Sequence, residues 1–214
     1  MITNFQLDTK AAARADSQTP NIRRSGAFAG QITAARTYIT RSGAQMLEII
    51  FVAHEGKANI NLCLFKKDGS ENFGRDMFMS MLTCLRLKNV NAVKSTIKDR
   101  NGNDQEAYLF PDLAGREIGL LLQYAPEEYQ ASDGTIRVAD RVNLVTSFEP
   151  STGLVAKEIL ERVTKPELLE IRKEHVIDKP LKKLSVSDNE FENPPVKKTA
   201  KQPLDNMDDD DIPF

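Results

Sequence analysis

Apolar and polar positions alternate over the middle of the chain with a period that changes from two to nearly four and back again. From Ala27 to Thr40 β-favouring residues predominate, and Arg41-Ser42-Gly43 closes the run as a turn. Gln45 to Ala53 carries Leu47, Ile49 and Phe51 on one face and ends at His54-Glu55-Gly56. Ala58 to Lys67 sets Ile60, Leu62 and Leu64 against Asn61, Cys63 and Phe65, before the turn Asp68-Gly69-Ser70. The stripe Met77, Met81, Leu82, Leu85 then predicts a helix over Asp76 to Lys88. Asn101-Gly102 is a hairpin-type pair, followed by a short strand at Tyr108-Leu109-Phe110. Gly119 to Gln123 and Ile136 to Phe148 read as two further strands.

A three-strand meander, a helix and two more strands is the order of the OB-fold, a mainly-β, five-stranded Greek-key barrel. Residues 27–150 form this expected body, with the helix between its third and fourth strands. A helical extension over 151–184 follows, interrupted at Pro166. There Thr164-Lys165-Pro166-Glu167 places a capping residue, a proline and a glutamate where a helix restarts. Residues 1–26 are Ala-rich and polar and read as a flexible N-terminal arm. From residue 185 the chain is Pro, Lys, Asn and Asp with few apolar side chains, the composition of a disordered tail.

Apolar residues are 40% of the 214, enough for one real core, and no apolar run reaches the length of a membrane span. The first residues lack a charged-then-apolar signal, which predicts a cytoplasmic protein, in a bacterial host if phage-encoded. Cys63 and Cys84 lie on apolar stretches and read as buried thiols; with His54 and His175 they give no metal-ligand spacing. No glycine-rich phosphate loop or nucleophile elbow is present. Asp99, Asp104 and Asp112 fall in turn-rich sequence and read as solvated carboxylates. The expectation is a non-enzyme without metal or cofactor.

Charge is unevenly spread. The net is −2, yet residues 10–100 hold 15 Lys and Arg against 7 Asp and Glu, and residues 187–214 hold 3 against 8. A basic body and an acidic end fit a polyanion-binding surface with a separate partner-seeking segment. That segment finishes Asp208-Asp209-Asp210-Asp211-Ile212-Pro213-Phe214. Adjacent carboxylates repel one another and stay in water. The ring of Phe214 can fill a pocket, basic groups around it can take the carboxylates, and Pro213 lowers the entropy lost on docking.

This end resembles the acidic tip of bacterial and bacteriophage single-stranded-DNA-binding proteins, which finish in Asp-rich sequence followed by Ile-Pro-Phe. The body is similar too: Gly30 through Thr40-Arg41-Ser42-Gly43 looks like the first hairpin of such domains, and Leu113-Ala114-Gly115-Arg116-Glu117-Ile118-Gly119 like their fourth-strand entry. The resemblance implies sequence-independent binding of single-stranded DNA, with replication, recombination and repair proteins recruited through the tip. Residues 91–110 and 154–177 have no counterpart in it, so a monomer and a dimer both stay open.

Single-strand binding needs cations for phosphates and aromatic faces for bases. Phe65 with Lys66 and Lys67, Tyr38 between Arg36 and Arg41, and Phe73 beside Arg75 interleave the two. Arg23, Arg24 and Lys57 are further candidate phosphate contacts. Phe28, Phe51, Phe78 and Phe148 read as core. The competing reading is an OB-like adaptor in a replication complex that binds protein and not DNA; only the first reading requires the basic, aromatic-interleaved segment.

Deleting Phe214 should abolish retrieval of replication and repair proteins in a pull-down and leave the body folded. Replacing Asp208 to Asp211 with Asn should weaken retrieval and reduce its sensitivity to salt. Equal retrieval by the intact and shortened chains would leave the tail as a solvated end.

Overall fold

The computed structural model describes residues 7–9, 19–98, 102–131 and 133–184. The chain divides into two units, Met1–Leu184 and Ser185–Phe214, and every described residue belongs to the first. It is mainly β and antiparallel.

Strand β1 (Gly26–Ile39) is the spine. It pairs along most of its length with β2 (Gln45–Ala53), which pairs in turn with β3 (Gly56–Phe65). On its other edge β1 serves two partners. Its first half pairs with β6 (Glu117–Tyr124), from Gly26 opposite Leu122 to Gln31 opposite Glu117. Its second half pairs with β5 (Asp104–Leu109), from Arg36 opposite Leu109 to Tyr38 opposite Ala107. A register shift between Ile32 and Ala34 marks the changeover. The gap is filled by a 3-10 turn (Pro111–Leu113), whose Leu113 is fully buried. The Gly115 and Arg116 backbone closes the ladder there: Gly115 N donates to Ile32 O at 2.8 Å and Ile32 N to Arg116 O at 2.9 Å.

Strand β4 (Val93–Lys98) forms a hairpin with β5, and β9 (Val142–Phe148) pairs with β6, giving seven strands in one sheet. A separate two-stranded ribbon joins β7 (Glu127–Gln130) to β8 (Ile136–Ala139). The single strand expected over Ile136–Phe148 is thus cut at Asp140-Arg141, because Asp140 turns aside to bind other side chains. Among the described residues no ladder joins β9 to β3, so the sheet is not closed.

Helix α1 (Phe73–Cys84) packs against β3 and β9 and buries Met77, Phe78, Met81 and Leu82. A Cβ on Gly74 would stand 2.3 Å from the Cys63 carbonyl oxygen, so only glycine lets the first turn seat on β3. The alternation read from sequence is the one that packs. Leu47, Ile49, Phe51, Ile60, Leu62 and Leu64 join Phe28 and Ile32 in the core, and Phe78 and Phe148 are also buried. Cys84 is buried, Cys63 half-buried, and both are free thiols. Residues 20–22, placed by sequence in the arm, run beside β3: Ile22 is 3% exposed and its amide donates to Lys57 O at 2.8 Å.

The extension is two short helices, α2 (Ala156–Leu160) and α3 (Leu168–His175). No local side chain caps α3, and Thr164 does not serve. The carboxylate of Glu158, 3% exposed, does so from α2. Its Oε1 accepts from Glu167 N at 2.8 Å and Leu168 N at 2.9 Å, while Oε2 accepts from Val155 N at 3.0 Å. Burial pushes its pKa up, but these donors and the Arg172 charge outweigh burial and hold the carboxyl below the usual glutamate range.

A lowered folded-state pKa contributes stability above the ordinary glutamate value of about 4.3, lost as pH falls through the folded value. Glu158→Ala should therefore destabilise the protein by about 1.5–3 kcal/mol at neutral pH, the scale of hydrogen bonds to a charged group. Its unfolding free energy should also fall less steeply below pH 5 than that of the parent, measured by urea titration across pH. Parallel pH curves would refute the assignment.

Candidate nucleic-acid interface

The core takes the inward side of β1, β2 and β3, so their outward side chains form a second face. Register fixes its rows. Tyr38, Met46 and Cys63 lie across one row; Arg36, Glu48 and Asn61 the next; Ala34, Ile50 and Asn59 a third; Gln31, Val52 and Lys57 the last. From Lys57 to Phe65 the face runs about 26 Å at the usual strand rise.

A groove of about 710 Å³ lies over one side of this face. Asn59 and Asn61 of β3 form one side, Glu48 of β2 with Arg36 and Tyr38 of β1 the floor, and Ile97, Lys98 and Gln105 of the β4–β5 hairpin the other side, with Arg41 beyond the end of β1. A second hollow of about 440 Å³ shares Asn59 and Asn61 and continues to Tyr129, Arg141 and Asn143. The two hairpins therefore flank the strand face.

Charges here are mostly held in pairs. Arg36 Nε donates to Glu48, whose other oxygen accepts from Asn59 Nδ2 at 2.7 Å. Lys98 pairs with Asp104 at 2.6 Å. Arg23 pairs with Asp140 at 2.9 Å, and Arg24 lies 3.8 Å from Glu55 and over the Phe28 ring at 5.2 Å. Lys57, Lys66 and Lys67 are exposed and make no ion pair among the described residues. The β1–β2 turn lies against the chain after β3, with the Gly43 Cβ position 3.5 Å from Lys67 Cβ. Arg41, Lys66 and Lys67 thus gather at one end of the face, and Lys57 marks the other.

The sequence candidates consequently separate. Arg36, Tyr38 and Arg41 share the groove. Phe65, expected to face outward, stands opposite Gln45 beyond a register shift, is half-buried and packs against the core. Phe73, 69% exposed, and Arg75, paired with Glu71 at 3.2 Å, start α1 away from the groove. Phe73 instead lines an apolar hollow of about 510 Å³ with Met79, Leu160 and Arg172. Glu48, Asn59, the β4–β5 wall and Tyr129 were not singled out by sequence. The outward parity of Glu48 and Asn59 was available as a signal; the pairing that brings the hairpins alongside was not. The tip Asp208 to Phe214 lies outside the described residues.

Asp140 ties the second hollow to the start of the chain. It accepts from Arg23 Nε, from Tyr124 Oη at 2.9 Å and from Asn21 Nδ2 at 3.4 Å. Burial raises its pKa, but those donors prevail and hold it below the usual aspartate range. Burial first, then the hydrogen bond to Asp140, pushes the Tyr124 phenol up.

Compared with known proteins, the chain matches no protein-family model and no curated sequence.

Asp140→Ala should loosen residues 19–25. Hydrogen exchange of the Ile22 and Lys57 amides, bonded to Lys57 O and Pro20 O at 2.8 Å each, should accelerate while the β1–β2 amides stay protected. Unchanged protection would mean that Ile22 packing alone holds the segment.

Proposed function

We propose that this chain binds single-stranded DNA along the outer face of β1, β2 and β3 and recruits replication, recombination or repair proteins through Asp208 to Phe214. The observation that carries the reading is the groove that runs from Asn59 and Asn61 of β3 across Glu48, Arg36 and Tyr38 to the β4–β5 hairpin, with Arg41 at one end. It offers what an unpaired strand needs: an aromatic face for a base, cations at both ends for phosphates, and neutral hydrogen-bonding groups between them.

The proposal takes the body as an OB-like barrel. Supporting this are the β1–β2–β3 meander, α1 after β3, and the pairing of β1 with both β2 and β6. In OB-folds the ligand lies over the second and third strands between the loops that follow strands one and four. On this reading the β1–β2 turn and the β7–β8 ribbon would be the counterparts of those loops. The resemblance of the tip to single-stranded-DNA-binding proteins supports the same conclusion independently of the fold.

The adaptor reading has one observation in its favour, the apolar hollow with exposed Phe73, Met79 and Leu160. It requires no affinity for DNA.

A mixed-sequence oligonucleotide titrated at several salt concentrations separates the two. Tyr38→Ala should weaken binding by about 1–3 kcal/mol, the usual worth of one stacked base. Lys66→Ala with Lys67→Ala should flatten the log–log salt dependence by about 0.7 for each phosphate no longer neutralised. An unaltered affinity and slope in folded variants would reject this groove, and no binding by the parent protein would favour the adaptor.

A further inference from the structure

The outer face does not end at β1. Register carries its rows onto the β4–β5 hairpin: Cys63, Met46 and Tyr38 continue to Ala107 and Ser95, and Asn61, Glu48 and Arg36 to Leu109 and Val93. Five strands thus share one face, about 19 Å across at the usual strand spacing. Residues directly opposite in an antiparallel pair point to the same side, and the side alternates along each strand. The hairpin therefore sets Val93, Ile97 and Leu109 on the side of Tyr38, and Lys94, Thr96, Glu106 and Tyr108 on the other. This reverses the usual division, in which the apolar side of an antiparallel pair is the one that packs on a core. Val93 is 50% exposed, and among the described residues neither core takes up Val93, Ile97 or Leu109. Ile97 instead lines the groove that also holds Arg36 and Tyr38. Gln105, opposite Ile97, donates from Nε2 to Ile39 O at 2.6 Å and ties the hairpin to the end of β1.

We propose that the β4–β5 hairpin is a shelf for bases, onto which a single strand bound over β1, β2 and β3 continues, so that the chain covers more nucleotides than those three strands alone. The proposal rests on the single-strand reading above. The hairpin lies within residues 91–110, which the five-stranded order does not require. An apolar surface left open beside a groove marks a binding site. Its occupant follows from continuity: Ile97 shares the groove with Tyr38, so a strand with one base on Tyr38 has its next bases against the hairpin. Base faces are apolar, and aliphatic side chains pack on them without reading the pairing edge. The shelf therefore adds length to the bound strand and no base preference. Lys98 stands at the same rim. It is paired with Asp104 at 2.6 Å, but the two side chains are 66% and 67% exposed. Exposed pairs of this kind are weak, so a phosphate can take the lysine.

The experiment measures fluorescence anisotropy with dT oligonucleotides of about 5 and about 12 nucleotides, both within the range that one barrel of this kind covers. The parent protein should prefer the longer one. Val93→Ser with Ile97→Ser should lower that preference about tenfold, the effect of one base losing its contact, and leave the shorter oligonucleotide bound nearly as before. A second arm needs no variant. Hydroxyl-radical oxidation of Val93, Ile97 and Leu109 in the parent protein should slow on adding the longer oligonucleotide and change little with the shorter. A length preference unmoved in the folded variant, equal losses at both lengths, or oxidation unaffected by the longer oligonucleotide would each overturn the proposal while leaving single-strand binding standing. Slower oxidation on concentrating the protein without DNA would give the shelf to a second copy of the chain and overturn it as well. Absence of binding to both oligonucleotides would overturn the proposal together with the reading beneath it.

Discussion

The structure depends on one strand satisfying three others. β1 is long enough to pair with β2 on one edge and with both β6 and β5 on the other, but two strands cannot occupy the same stretch of edge. The register shift between Ile32 and Ala34 resolves the conflict. A bulge bends the strand and strengthens its twist, so the two halves of β1 lead the β6–β9 pair and the β4–β5 pair apart. At the bend the Ile32 amide donates to Arg116 O and the Ile32 carbonyl accepts from Gly115 N, and Leu113 fills the space beneath. Core and groove both follow from that bend.

One side of the sheet is committed to packing and the other is left to chemistry. Inward positions of β2 and β3 are aliphatic or aromatic and buried, while their outward neighbours include Glu48, Asn59 and Asn61. Antiparallel sheets tolerate this division because their edges and faces need not all be covered. The outward face is not simply cationic. Arg36 is held by Glu48, which fixes its side chain, while Lys57, Lys66 and Lys67 at the ends make no ion pair among the described residues.

Where alternation was strong, the sequence was enough. The inward set Ile60, Leu62, Leu64 and the outward Asn59 and Asn61 follow from a period of two, whereas a register shift at Gln45 and Met46 sets Phe65 against the core. β4 was missed because Val93-Lys-Ser-Thr-Ile-Lys98 is short, half polar and mostly exposed. β7 was missed because Glu127-Glu128-Tyr129-Gln130 has no apolar face at all. Asp140 and Arg141 gave no visible break within an otherwise β-rich run. The site divided along the same line. Tyr38 and Arg41 are close in sequence and could be paired on paper, whereas Gln105 reaches the groove, and Tyr129 the hollow beside it, only through strand pairing at long range. Phe73 failed as a groove residue because the Asp68-Gly69 turn carries the chain onto α1 and away from the face.

The cap on α3 couples two pieces of chain that are weak apart. Eight residues are too few to form a stable helix in water on their own, and α3 begins without a local acceptor for its first amides. Its acceptor, Glu158, belongs to another helix ten residues before Leu168. α2, at five residues, is shorter still. Arg172 of α3 in turn donates to Thr146 of β9. A single buried carboxylate thus makes two short helices and the last strand of the sheet interdependent, so that none of the three keeps its native hydrogen bonds without the others.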